Sequence, residues 1–185
     1  MKCIIILFSY VLIPCINFLT FLMIDVNYDN MTYIGNTLHH PIYLLLWSSL
    51  TAVGLYFFSK KIWNIYKITY NKGLHFFFCF GWILSCSVPY GPNFPNWINN
   101  IHVWLAVLCT IGFSAEWILV WIKKERLIYP QIKSLLLWLQ IDFSVCFFIL
   151  CLASHVNALC EIVYSTFTNI ILSSFLLKEK KGFTS

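Results

Sequence analysis

Apolar residues run along this chain in long unbroken stretches instead of alternating with polar ones. Six stretches are long enough to cross a hydrocarbon core of about 30 Å, which takes about 20 helical residues with a tolerance near 17–25. They lie near 3–24, 42–59, 74–90, 101–122, 134–153 and 156–177. The third is the shortest and ends at Pro89. Helices are the expected form, because backbone groups in lipid must be satisfied within their own segment and continuous runs do not fit the alternating strands of a barrel. The first run follows Lys2 as a cleavable signal would, but it continues for about 22 residues without a small-residue cleavage motif, so a retained helix is expected. The predicted fold class is all-α: one transmembrane domain over 1–185, a six-helix bundle.

Composition agrees with this pattern. Of 185 residues, 60% are apolar and only 10% charged, with a mean hydropathy of +0.78. A soluble domain carries about 25% charged residues, and a disordered chain few aromatics, whereas 19% of this chain is aromatic. The eight cysteines all fall in apolar runs without a Cys-x-x-Cys pair, and packing is their expected role.

The net charge of +5 reads as a topology signal. Lys2 precedes the first run; Lys60, Lys61, Lys67 and Lys72 separate the second and third; Lys123, Lys124, Arg126 and Lys133 separate the fourth and fifth; Lys178, Lys180 and Lys181 follow the sixth. With six crossings all twelve fall on one face, and the positive-inside rule puts both termini in the cytoplasm. No nucleic-acid motif accompanies them, so the expected surroundings are a lipid bilayer. The partner, if any, is another membrane protein or a lipid. Abundant Ile, Lys, Asn, Phe and Tyr fit an AT-rich genome, which points to a bacterial cytoplasmic membrane.

Polar groups inside the runs carry the candidate chemistry, because charged side chains near the bilayer centre cost about 2.5–3.5 kcal/mol on insertion scales. Glu116 and Asp142 lie roughly 7 Å and 2 Å to the basic side of their runs' midpoints, at about 1.5 Å per residue. Neither has a Lys or Arg at its depth. If their helices adjoin, the two would share a proton or hold a cation, or else meet as protonated acids across a helix seam. His102, Ala106, Cys109, Phe113 and Glu116 form one helical stripe, and Asn157, Glu161, Ser165 and Thr168 another. An outer cluster gathers His39, His40, His102, His155, Asp25, Asp29 and Glu161. Neutral imidazoles with a carboxylate are ligands that zinc accepts, which makes His102, His155 and Glu161 metal candidates, although their spacing carries no metal motif. His75 is expected to be a solvated residue at the start of its helix.

Gly81, a short proline-containing loop and the segment NIHVWLAVLCTIGFSAEW, with His102 opening a helix and Ala106 following, together resemble the six-helix membrane proteins of the DRAM/Frag/Sfk type and related bacterial proteins. The similarity covers about residues 74–122. It implies a six-helix bundle with cytoplasmic termini and brings no catalytic residues. No serine elbow, phosphate loop or His-Glu-x-x-His occurs. The sequence therefore favours a small non-enzymatic membrane protein, transporter-like, lipid-interacting or partner-regulating, with no cofactor. The alternative is a metal-dependent membrane hydrolase of a lipid or lipid-linked substrate, with His102, His155 and Glu161 as ligands, zinc being one metal they suit, and Asp25 or Asp29 as general base.

Overall fold

The computed structural model describes residues 2–122 and 130–182, and among them all regular structure is helical. Seven helices follow in order: α1 (Lys2–Thr20), α2 (Met31–Asn36), α3 (Pro41–Ile65), α4 (Lys72–Ser87), α5 (Asn96–Ile122), α6 (Pro130–Ala153) and α7 (Ala158–Gly182). Five are long and apolar enough to cross a membrane: α1, α3, α5, α6 and α7. The third predicted run becomes α4, whose 16 residues span about 24 Å at 1.5 Å per residue. Of the basic residues, Lys123, Lys124 and Arg126 lie outside the described residues, as do the side chains of Lys180 and Lys181.

Local chemistry explains where the helices depart from the apolar runs. Pro14 has no N–H to offer the carbonyl one turn back, and the preceding segment Leu7–Leu12 is wound as a π-helix inside α1. The loop expected from Asp25 to Pro41 contains α2, which starts where the Asn30 side chain accepts from Tyr33 N at 3.0 Å. Asn71 caps α4 in the same way, accepting from Gly73 N and Leu74 N. Helix α3 overruns its predicted end at residue 59, because Lys60 lays its stem along the helix. Its amine stands 5.1 Å from the Tyr56 ring centroid and 3.3 Å from the Tyr56 hydroxyl.

Sequential helices pack antiparallel. Residues near the start of α4 meet the ends of α3 and α5, through His75 against Tyr56 and Glu116, and residues near its end meet their beginnings, through Trp82 against Trp47 and Ser85 against His102. Asn17 near the end of α1 bonds Ser165 in the first half of α7, and Tyr10 at the middle of α1 bonds Ser174 further along α7. The core runs between the five helices α1, α3, α4, α5 and α7 and continues onto α6 through Ile132, Leu135, Leu136 and Leu139; Trp63, Phe113 and Trp117 are fully buried in it. The α5–α6 seam is the loose one: these helices touch far less than α4 and α5 do.

Candidate functional site

Two constellations stand out, one at each end of the bundle. At the end where α4 begins, His75 is fully buried and its Nδ1 lies 2.8 Å from Glu116 Oε2. The expectation of a solvated His75 is therefore wrong, and Glu116 does have a basic partner near its depth. The reason is helix pairing: α4 and α5 run antiparallel, so a residue one turn into α4 meets one near the end of α5. The imidazole Nε2 faces the Tyr56 carbonyl oxygen at 3.4 Å. The rings of Tyr56, Trp63, Tyr70 and Phe113 enclose it, with centroids 4.5–6.2 Å away. Tyr70 belongs to the α3–α4 connection, where burial pushes its hydroxyl above the usual tyrosine value, with Lys60 opposing. Aromatic rings thus close the His75 side of the pair, while Glu116 keeps an exposure of 13%.

Asp142 is buried in α6 and accepts from Thr168 Oγ1 of α7 at 2.7 Å. Glu116 and Asp142 thus hydrogen-bond to different helices and not to one another. The polar stripe of α7 is spent on packing. Ser165 and Thr168 are fully buried, and Ser165 joins Asn17 of α1, whose amide also receives Trp47 Nε1 at 2.8 Å and donates to Thr166 Oγ1 at 2.9 Å. Asn17 ties α1, α3 and α7 together. A lone amide inside an apolar run was the available signal for it.

At the opposite end the loops fasten the helices. Asn157 Nδ2 donates to Asn27 O, and the free N–H groups of Ala158 and Leu159 at the start of α7 find the carbonyls of Asp29 and Val26. Glu161 returns the favour, accepting from Met31 N at the start of α2 at 2.7 Å. His155 is exposed and faces the carbonyls of Ala153 and Tyr28 at 2.6 and 3.0 Å. His102 is buried, with Nδ1 on Val88 O and Nε2 on Thr32 Oγ1, both at 3.1 Å. Asp25 and Asp29 hold their own turn through Asn27 N and Asp25 N, while His39 and His40 are exposed before α3. The outer cluster is thus divided among separate local bonds. His102, His155 and Glu161 have no common centre, and among the described residues no three His, Cys, Asp or Glu side chains gather to hold a metal.

Between α5 and α6 lies a cavity of about 420 Å³, walled on its inner side by Trp47, Trp82 and Tyr164 and closed at its outer end by Thr32, His102 and Glu161. That volume falls within the roughly 300–1,000 Å³ of small-molecule sites. The residues along its rim are turned outward: Ile111 is 62% and Phe147 66% exposed. A second cavity of about 350 Å³ continues down the same seam and shares Ile118, Phe143 and Phe147 with the first. The seam is mainly apolar, with Gln140 and Ser144 among the residues of its second cavity, and it opens sideways. Cys146 and Cys160 line it, whereas Cys3, Cys15 and Cys151 are exposed on the bundle surface and not packed in the core as expected.

No family model matches the chain, and neither a curated protein nor a solved structure matches it.

Proposed function

We propose that this protein is a non-enzymatic, lipid-interacting membrane bundle of six crossings, α4 included, with the basic connections and both termini on the cytoplasmic side of a bacterial membrane. The observation that carries the reading is the lateral α5–α6 cavity: it is mainly apolar and rimmed by exposed Ile111 and Phe147, where a bilayer would present acyl chains. The antiparallel contacts of α4 with both neighbours support its crossing despite its length. The similarity of residues 74–122 to DRAM/Frag/Sfk-type proteins belongs to the same proposal, since α4 and α5 wall one side of the cavity.

The test is chemical. Solvent extraction and mass spectrometry of the detergent-purified protein are expected to find about one apolar-chain molecule per chain, the occupancy of a single small-molecule pocket. Ala106→Trp and Ala115→Phe fill the cavity and are expected to remove that molecule while the far-ultraviolet circular dichroism stays helical. An unchanged lipid yield in both filled variants would overturn the reading.

A further inference from the structure

On the reading that the α5–α6 seam takes an apolar chain, its outer end narrows what that chain carries. We propose that the ligand is a long-chain amphiphile whose head is a hydrogen-bond donor, uncharged or cationic, an alcohol or an amine, seated against Glu161.

Three observations converge on this chemistry. First, Glu161 is the one formally charged side chain lining the two cavities as described, and no Lys or Arg lines either. A phosphate or carboxylate head would be stripped of water there with no counter-charge to meet it, a penalty of several kcal/mol per ion. Second, the polar groups that stand with Glu161 at the outer end of the first cavity, and the Tyr164 hydroxyl below them, are already paired. His102 spends Nδ1 on Val88 O and Nε2 on Thr32 Oγ1, and the Tyr164 hydroxyl sits between Ser114 Oγ at 3.1 Å and Thr110 O at 3.4 Å. Glu161 commits Oε2 to Met31 N, and its Oε1 accepts no hydrogen bond from the described residues. The outer end therefore offers an acceptor, and a head seated there must supply the donor. Third, the cavity is long. On α5 its lining runs from His102 to Ile118, about 24 Å at 1.5 Å per residue, and the second cavity extends it along Trp117 and Trp121. A slot of that length admits a chain lying along the helices with its head at the Glu161 end.

The experiment uses four probes of one chain length, each bearing a diazirine in the chain: a long-chain alcohol, amine, carboxylic acid and phosphate monoester. Each is photolysed with the full-length protein in neutral detergent, and labelled peptides are mapped by mass spectrometry. Alcohol and amine are expected to label residues 111–115 and 143–147 at least about tenfold more than acid and phosphate, equivalent to about 1.4 kcal/mol. Glu161→Gln keeps an acceptor for Met31 N but loses the charge, so amine labelling is expected to fall relative to alcohol. Equal labelling by all four probes at the seam, or a preference for acid or phosphate, overturns the donor-head proposal and leaves the apolar seam standing. Unchanged amine labelling in Glu161→Gln removes Glu161 as the head contact. Absence of seam labelling by every probe in folded protein removes the lipid reading itself.

Discussion

His75 and Glu116 form the tightest acid–base contact among the described residues, and it joins two helices inside the bundle. An unpaired polar group left in such a place costs far more than the pair is worth, because removing one partner strands the other away from water. His75→Phe and Glu116→Leu are each expected to lower stability by about 3 kcal/mol, read as a fall in the midpoint of thermal loss of near-ultraviolet circular dichroism. The double variant is expected to cost clearly less than the two losses added, since it leaves neither group orphaned. Additive losses would mean that the contact carries no coupling. This dyad was only half readable in the sequence. Glu116 announced itself as a carboxylate inside an apolar run, but His75 stands one turn from a helix start, where most histidines meet water. Only the antiparallel register of α4 against α5 reveals the pair, and periodicity within one helix contains nothing about register between two.

The approach of α4 to α5 rests on glycines as much as on that pair. A β-carbon at Gly81 would run into the Cys109 thiol, and one at Gly112 into the Phe78 ring. Each small residue receives a side chain of the other helix, which lets the backbones come close. Gly112→Ala is expected to cost about 1–3 kcal/mol, the range for overpacking a filled core. Gly81→Ala is expected to be destabilising alone and relieved by Cys109→Ala, because the atom in the way is then gone; thermal midpoints of the two singles and the double decide it. Failure of Cys109→Ala to relieve the clash would place the strain in the backbone. At this scale the sequence spoke clearly about what is apolar and poorly about where helices stop. Lys60 and Lys61 ended the predicted second run, yet α3 carries both because a lysine can extend its stem along the helix. Six residues of α2 were too few to show against a polar loop, and their start depends on one Asn30 cap. The looseness of the α5–α6 seam had no sequence signal, since the residues facing it are as apolar as those facing lipid.

The whole bundle turns on whether α4 crosses. At about 24 Å it is short of a hydrocarbon core of about 30 Å, and a count of long apolar helices alone stops at five. An odd number would send the two ends of the chain to opposite faces. The contacts argue for the even number: Asn17 near the end of α1 bonds Ser165 in the first half of α7 and Tyr10 at the middle of α1 bonds Ser174 further along, so the two helices run antiparallel and the start of α1 lies on the side where α7 ends. The α3–α4 connection belongs to that end too, through Tyr66 against Phe175 of α7, while the connection after α4 belongs to the other, where Ser85 meets His102 and His102 meets Thr32. A short crossing helix can be accommodated by local thinning of the bilayer, and Lys72 at its start can reach outward to the interface. Epitope tags at the two termini, within residues 67–71 and within residues 91–95 decide the matter by protease protection in sealed vesicles of known sidedness. The expected result is that both terminal tags and the 67–71 tag are cleaved from the cytoplasmic side and the 91–95 tag from the other. Terminal tags on opposite sides would mean five crossings. The basic residues would then be divided between the two faces, so the charge pattern and the helix contacts stand or fall on the same measurement.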